Sequence, residues 1–196
     1  MRRESKRERR NQILISIFIA AIMILSTLGF IYGGNTDTNT LKYELNNRTY
    51  LFGKQYNVYY LNIDNQKVFF YNLPDEINFN LDTQLAGRIK DSRMMYLTFD
   101  PEEKDLNYID LVRFSLTDDL AKFEIFLVSG VTKETKLYEL PVIDCVNATE
   151  YTPVIKFENS NTTEIDLNEN CIIMKGKGLD FIKFRDLLLY KLYGVF

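Results

Sequence analysis

From Ile13 to Tyr32 the chain runs for twenty residues without a charged side chain, mostly in Ile, Leu, Phe, Ala and Met. As a helix rising about 1.5 Å per residue, such a run reaches about 30 Å, the hydrocarbon thickness of a bilayer. Its polar exceptions, Ser16, Ser26 and Thr27, can bond back to the helix backbone. Before it, Arg2, Arg3, Lys6, Arg7, Arg9 and Arg10 outnumber Glu4 and Glu8. A cleaved leader would have a shorter apolar stretch, roughly 7–15 residues, ending in a small-x-small site, and Thr27-Leu28-Gly29 is a poor one. The pattern predicts a retained single-pass anchor over residues 13–33 and a basic cytoplasmic tail over 1–12. Everything beyond a linker at 34–40 is then expected outside the cell membrane, with the lipid bilayer as a partner.

The same run divides the charge. Six basic and two acidic groups give the first twelve residues +4, so a chain of net −3 leaves −7 for the remainder. An acidic domain does not neutralise phosphates, so nucleic acid is not an expected partner. Apolar residues make up 46% of the chain and aromatics 14%, which leaves enough material after the linker for a hydrophobic core.

Strand and helix periods alternate beyond residue 40. The stretches "LKYEL", "TYLFG", "YNVYYLNI" and "KVFFYNL" are rich in aromatic and β-branched residues. The turn formers Asn46-Asn47 and Asp64-Asn65-Gln66 separate them, which predicts antiparallel sheet over 41–72. Tyr59, Tyr60, Phe69, Phe70 and Tyr71 could form a stacking platform, but cross-strand pairs account for the same residues. Leu81, Leu85 and Ile89 recur every fourth residue and predict a short helix over 82–90. "MMYLTF" (94–99) and 122–130 read as buried strands. The helix between them is expected to start at Asp100 as N-cap with Pro101 in its first turn, and to continue through Leu106, Ile109, Val112 and Leu116. This is a β-α-β unit with parallel pairing. "TPVIKFE" and "CIIMKG" predict two more strands, in a hairpin. Phe181, Phe184, Leu188, Leu192 and Val195 share one face of a closing helix with Gly194 as its C-cap. The expected fold class is α+β. A transmembrane helix precedes an exterior domain with an antiparallel β-rich part over 41–90 and a part over 91–196 built from β-α-β, β-hairpin and C-terminal helix.

The chain has no histidine. That removes Ser-His-Asp and Cys-His catalysis, His metal ligands and His proton shuttles. There is no glycine-rich phosphate loop, and two cysteines cannot build a four-thiolate zinc site. Asp100, Glu102, Glu103 and Asp105 suggest calcium, but the EF-hand spacing and glycine are missing and a helix start accounts for all four. Asp118-Asp119 and Asp75-Glu76 fit turns or caps better than a glycosidase pair. No catalytic residue, metal or cofactor is expected. Asn47-Arg48-Thr49, Asn147-Ala148-Thr149 and Asn161-Thr162-Thr163 are sequons compatible with a glycosylated exterior surface.

The two cysteines, Cys145 and Cys171, both fall in the domain expected outside, where thiols tend to be oxidised. Their even number and positions beside strands predict a structural disulfide, which by chain entropy contributes roughly 3–4 kcal/mol. "TPVIKF", a polar turn, "CIIMKG" and the final helix resemble the second half of a thioredoxin-like domain, which implies a cis Pro153 facing a redox site. The CxxC of such domains is missing, and "TFDPEEKDL" stands in its place. The order "FYNLP", "LPVIDCVNAT", "PVIKF", "CIIMKG" and "DLLLYKLYGV" is similar to that of uncharacterised single-pass membrane proteins of small-genome archaea. This implies an envelope protein and carries over no catalytic residue. The leading functional expectation is a membrane-anchored exterior domain with a non-catalytic binding or assembly role in the cell envelope, on an envelope protein partner. A thioredoxin-like redox or scaffold protein comes second, and a carboxylate-based hydrolase of envelope glycans third.

Overall fold

The computed structural model describes residues 14–26 and 40–195, which belong to two separate compact units divided between Asn39 and Thr40. In the first, residues 14–26 form helix α1, with apolar side chains such as Ile17, Phe18 and Leu25 exposed. At about 1.5 Å per residue the described residues 14–26 span about 20 Å, against the roughly 30 Å of a bilayer core. Among the described residues no helix is long and apolar enough to cross a membrane. The single-pass anchor expected over 13–33 is corrected accordingly. So is the placement that rested on it, a cell-membrane protein with its N-terminus cytoplasmic and its C-terminal domain outside. The basic tail over 1–12, the remainder of the apolar run and residues 34–39 of the linker lie outside the described residues.

The second unit opens with an antiparallel meander of β1 (Leu41–Leu45), β2 (Arg48–Gln55), β3 (Val58–Ile63) and β4 (Gln66–Phe70). Two of its tight turns carry positive φ at both positions, Asn46 and Asn47 at 48° and 60°, Asp64 and Asn65 at 49° and 64°. Asn and Asp tolerate that geometry, and its twist matches that of the strands it joins. Phe52, Leu61, Val68 and Phe70 fill the buried face. A 3-10 turn at Pro74–Glu76 leads to α2 (Thr83–Asp91), which buries Leu85 and Ile89 within one residue of the range predicted for it.

A mixed sheet follows, of β5 (Met94–Phe99), β6 (Phe126–Ser129), β7 (Val154–Asn159), β8 (Glu164–Asn168) and β9 (Cys171–Gly176), in spatial order β6-β5-β7-β9-β8. Helix α3 (Leu106–Ala121) connects β5 to β6, and α4 (Leu179–Leu192) closes the chain. The expected α+β class is therefore corrected: the described residues form a mixed α/β fold with two sheets and four helices. The hairpin expected from "TPVIKFE" and "CIIMKG" is a parallel pair, β7 with β9. The hairpin partner of β9 is β8, whose sequence "EIDLN" is mostly exposed and too polar to announce an edge strand. Helix α3 starts at Leu106, not at Asp100. Asp100 instead accepts from the Glu102 N–H at 2.9 Å and folds a turn ahead of it. Strand β6 starts at Phe126 rather than Lys122, because the exit from α3 uses Glu124 at φ 60°.

Alternate residues of the mixed sheet face opposite layers. Met95, Leu97, Phe99, Ile155, Phe157, Ile172 and Met174 join one core with α2, α3, α4 and the meander. Helix α4 is buried almost all round, from Phe181 to Leu192, which is why its sequence reads as only weakly amphipathic. Its ring Tyr190 stacks on Phe70 at 4.2 Å and meets Phe52 edge-on. One buried charge cluster fastens the meander to this layer. Arg185 binds Asp119 and Asp186 and donates to the Phe69 carbonyl, while Asp186 accepts from the Tyr71 and Asn72 N–H groups and the Asn72 side chain.

Candidate functional site

Strand β2 serves its two neighbours with different halves. Arg48 to Phe52 pair with β1, and Gly53 to Gln55 with β3. Both hairpins close on two-residue turns, so Leu45–Arg48 and Gln55–Val58 exchange hydrogen bonds and the backbone direction alternates from there. Arg48, Tyr50 and Phe52 therefore turn their N–H and C=O groups to β1, and Thr49, Leu51, Gly53 and Gln55 turn theirs toward β3. In continued register Leu51 would pair with Asn62. Pairing instead stops at Gly53–Tyr60, and the strands diverge.

The gap is a cavity of about 740 Å³. One wall is β2 from Arg48 to Leu51, the other is β3 and its turn from Leu61 to Asp64, and Tyr193 also lines it. The split has local causes. A Cβ on Gly53 would lie 2.2 Å from the Tyr60 ring, so the glycine lets that ring fold across β2. Tyr60 is held there by Phe69, at 6.2 Å between centroids, and by the Lys67 ammonium 4.4 Å above it. On the inner face, Phe52 is wedged edge-on between Tyr43 and Phe70. The Tyr50 hydroxyl donates to the Gly194 carbonyl at 3.1 Å. That carbonyl is presented by the C-cap of α4, where Gly194 at φ 67° lets the Val195 N–H reach the Tyr190 carbonyl at 2.8 Å. The front half of β2 thus follows α4 while β3 follows β4.

The cleft has an apolar floor in the buried Leu61, with exposed polar groups above it. Arg48 and Asp64 stand on opposite walls near the open end, and neither is in an ion pair among the described residues. Burial pushes the Tyr193 phenol up, against the pull of Lys122, so it is a neutral donor near pH 7. These groups can recognise hydrogen-bonding and charged partners.

Two other regions carry the residues singled out in the sequence. At the carboxyl ends of β5 and β7, where connections leave in opposite directions, open α/β sheets commonly bind ligands. Here the acidic side chains clasp loops. Lys133 bridges Asp100 and Glu102, Glu103 accepts from the Asn159 N–H, and Asp105 accepts from the Asn159 side chain and the Gly178 N–H. Burial pushes the Asp100 carboxyl up, but the Glu102 N–H and Lys133 outweigh it and hold it below its ordinary value. Among the described residues no group of His, Cys, Asp and Glu is placed to hold a metal ion. Asp75 accepts from Tyr43, Glu76 caps the turn it sits in, and Asp119 is buried on Arg185 while Asp118 faces solvent.

The face of the mixed sheet opposite α3 and α4, helix-free among residues 40–195 apart from the 3-10 turn at Cys145–Asn147, holds the cysteines. The Cys145 and Cys171 sulfurs lie 2.05 Å apart, with Cα atoms at 5.2 Å, so the two residues stand at disulfide distance. They pack with Ile143, Val154, Tyr96 and Val128 in a second, smaller core. Lys156 bridges Asp144 and Glu158 on this face. No peptide bond among the described residues is cis, so Pro153 lacks the form that a thioredoxin-like site implies. The sequon residues Asn47, Asn147 and Asn161 are exposed and far apart in the chain. Asn47 adjoins the cleft wall at Arg48, and the Asn147 side chain accepts from the Asp144 N–H.

Sequence reasoning missed the cleft. Its one advance signal is Gly53, a lone glycine inside a strand pattern. No family model matches the chain, and neither a curated protein nor a solved structure matches it.

Proposed function

We propose that this chain is a non-catalytic binding protein that holds a protein partner in the cleft between β2 and β3. One observation carries the reading: two strands of one sheet part company after Gly53–Tyr60 and leave a cavity of about 740 Å³ between them. A ligand site of this size with an apolar floor and a few convergent polar groups is the usual form of a binding pocket. Arg48 and Asp64 give it opposite charges on facing walls, and Leu51, 59% exposed, gives it an apolar rim.

The test is a phage-displayed library of random linear peptides, panned on the full chain. Recovered peptides should lose affinity by about tenfold or more on a variant carrying Arg48→Glu and Leu51→Asp, a change of about 1.4 kcal/mol or more. Both side chains are exposed, so the variant should keep the parent's circular dichroism and urea midpoint. Peptides that bind the variant as well as the parent, or that instead depend on the exposed Phe126 of the helix-free face, overturn the reading.

A further inference from the structure

We propose that the partner enters this cleft as an extended peptide strand, hydrogen-bonded to the backbone of β2 that β3 has released. The proposal rests on the binding reading above and names the chemical class of its ligand. Its basis is the direction of the backbone groups. In β2 the row facing β3 is Thr49, Leu51, Gly53 and Gln55, and only Gly53 and Gln55 find β3 partners. Thr49 and Leu51 therefore offer their N–H and C=O groups to the cavity. On the far wall Asn62, whose neighbours Leu61 and Ile63 pair with Val68 and Gln66 of β4, faces the same space without a β2 partner. Main-chain donors and acceptors at Thr49 and Leu51 on one wall and at Asn62 on the other, without strand partners among the described residues, match the main chain of an extended segment, as in strand addition to an open sheet edge. Few other ligands repeat donors and acceptors at the strand's period.

The side chains narrow the class further. Leu61 at the floor suits an apolar residue of the peptide. At the mouth, Arg48 on one wall and Asp64 on the other suit an acidic and a basic residue respectively. In a strand, residues two apart point the same way, so the expected segment has an apolar residue turned inward and charged residues at the end that reaches the mouth. The closed end at Gly53–Tyr60 limits the length of the added strand, since the Tyr60 ring blocks the lane there.

The experiment uses cleft-dependent peptides recovered from the random library on the full chain. On binding, backbone amide exchange at Thr49, Leu51 and Asn62 should slow by about tenfold or more, as measured by NMR on isotope-labelled protein. N-methylation of alternate peptide residues should weaken binding by about tenfold or more, while N-methylation of the residues between them should not. That scan alters the ligand alone, so folding of the protein is not in question. If the peptides need Arg48 and Leu51 but neither amide protection nor the alternating N-methyl pattern is seen, the cleft binds in another way and strand addition is overturned. If no cleft-dependent peptide is recovered, the binding reading itself falls. If the full chain forms a dimer that the peptides dissociate, the occupant is a second copy and the assignment to a different protein is overturned.

Discussion

Asp186 lies fully buried under the meander, and both of its oxygens are engaged, one by Arg185 and the other by the Tyr71 N–H, the Asn72 N–H and the Asn72 side chain. Removing it leaves a buried guanidinium with one carboxylate, Asp119, and orphans two main-chain donors at the end of β4. A charge deprived of its partner in such a place typically costs about 3–5 kcal/mol. Asp186→Ala should therefore lower the unfolding free energy by about that amount in urea titrations, and Asp118→Ala, an exposed neighbour of the buried Asp119, by no more than about 0.5 kcal/mol. Equal losses from the two would show that the cluster does not anchor the meander. In the sequence Arg185 and Asp186 are two of several charges in the closing helix. Nothing in a charge pattern distinguishes a solvated Asp from one folded over by a loop more than a hundred residues distant. Gly130 poses a similar problem: a Cβ there would fall 2.7–2.8 Å from the Ile143 side chain, including its own Cβ. Because Ile143 cannot simply rotate away, Gly130→Ala should cost about 1–3 kcal/mol.

The elements that were legible are those whose period is long and whose burial is one-sided. Leu85 and Ile89 mark α2 because one face of it meets the core, and Leu81 just ahead of it is buried with them. The four meander strands were marked by aromatic runs between turn formers, and Asn46-Asn47 and Asp64-Asn65 do turn there. Strand β8 failed to show because an edge strand has only one neighbour and, here, little to bury. The segment between β6 and β7 lacks regular elements apart from the 3-10 turn at Cys145–Asn147, yet it covers part of the helix-free sheet face with Ile143 and Cys145. Its ties to the sheet include the cysteine pair, 26 residues apart, and the Thr98 hydroxyl donating to the Ile143 carbonyl at 2.6 Å. Closing a loop of that length contributes roughly 3–4 kcal/mol in the chain-entropy account. Replacing both cysteines by Ser should lower stability by up to about that amount and speed amide exchange from Asp144 to Ala148, with α2 and α4 unaffected. A uniform rise in exchange across the domain would mean that the link supports the whole fold rather than this segment.

At the scale of the molecule, strand order and the point where a pairing ends were out of reach of the sequence. The order β6-β5-β7-β9-β8 depends on β8, and the cleft depends on β2 leaving β3 for a helix end some 140 residues later in the chain, through Tyr50 and Gly194. Long-range ties of this kind also set how the fold responds to alkali. Tyr43 donates to Asp75 at 3.0 Å and joins β1 to the 3-10 turn, and Tyr138 donates to Asp110 at 2.9 Å and joins the segment after β6 to α3. Burial first, and the accepting carboxylate second, push both phenols from 10.0 up to about 12. The folded state thus holds these protons more tightly than the unfolded chain does. Each group's contribution is fully present below pH 10 and is lost as pH rises toward about 12. Stability in urea should accordingly hold steady up to pH 10 as far as these two groups are concerned, then fall through that window as the tyrosinate absorbance near the ultraviolet edge grows. A variant with Tyr43→Phe and Tyr138→Phe lacks both hydrogen bonds and both titrations, so it should start from a lower plateau and fall less steeply between pH 10 and 12. Tyr190, which burial also pushes up, still titrates in that variant, so the decline should be shallower rather than absent. A double variant that declines as steeply as the parent would show that Tyr43 and Tyr138 do not carry the alkaline response.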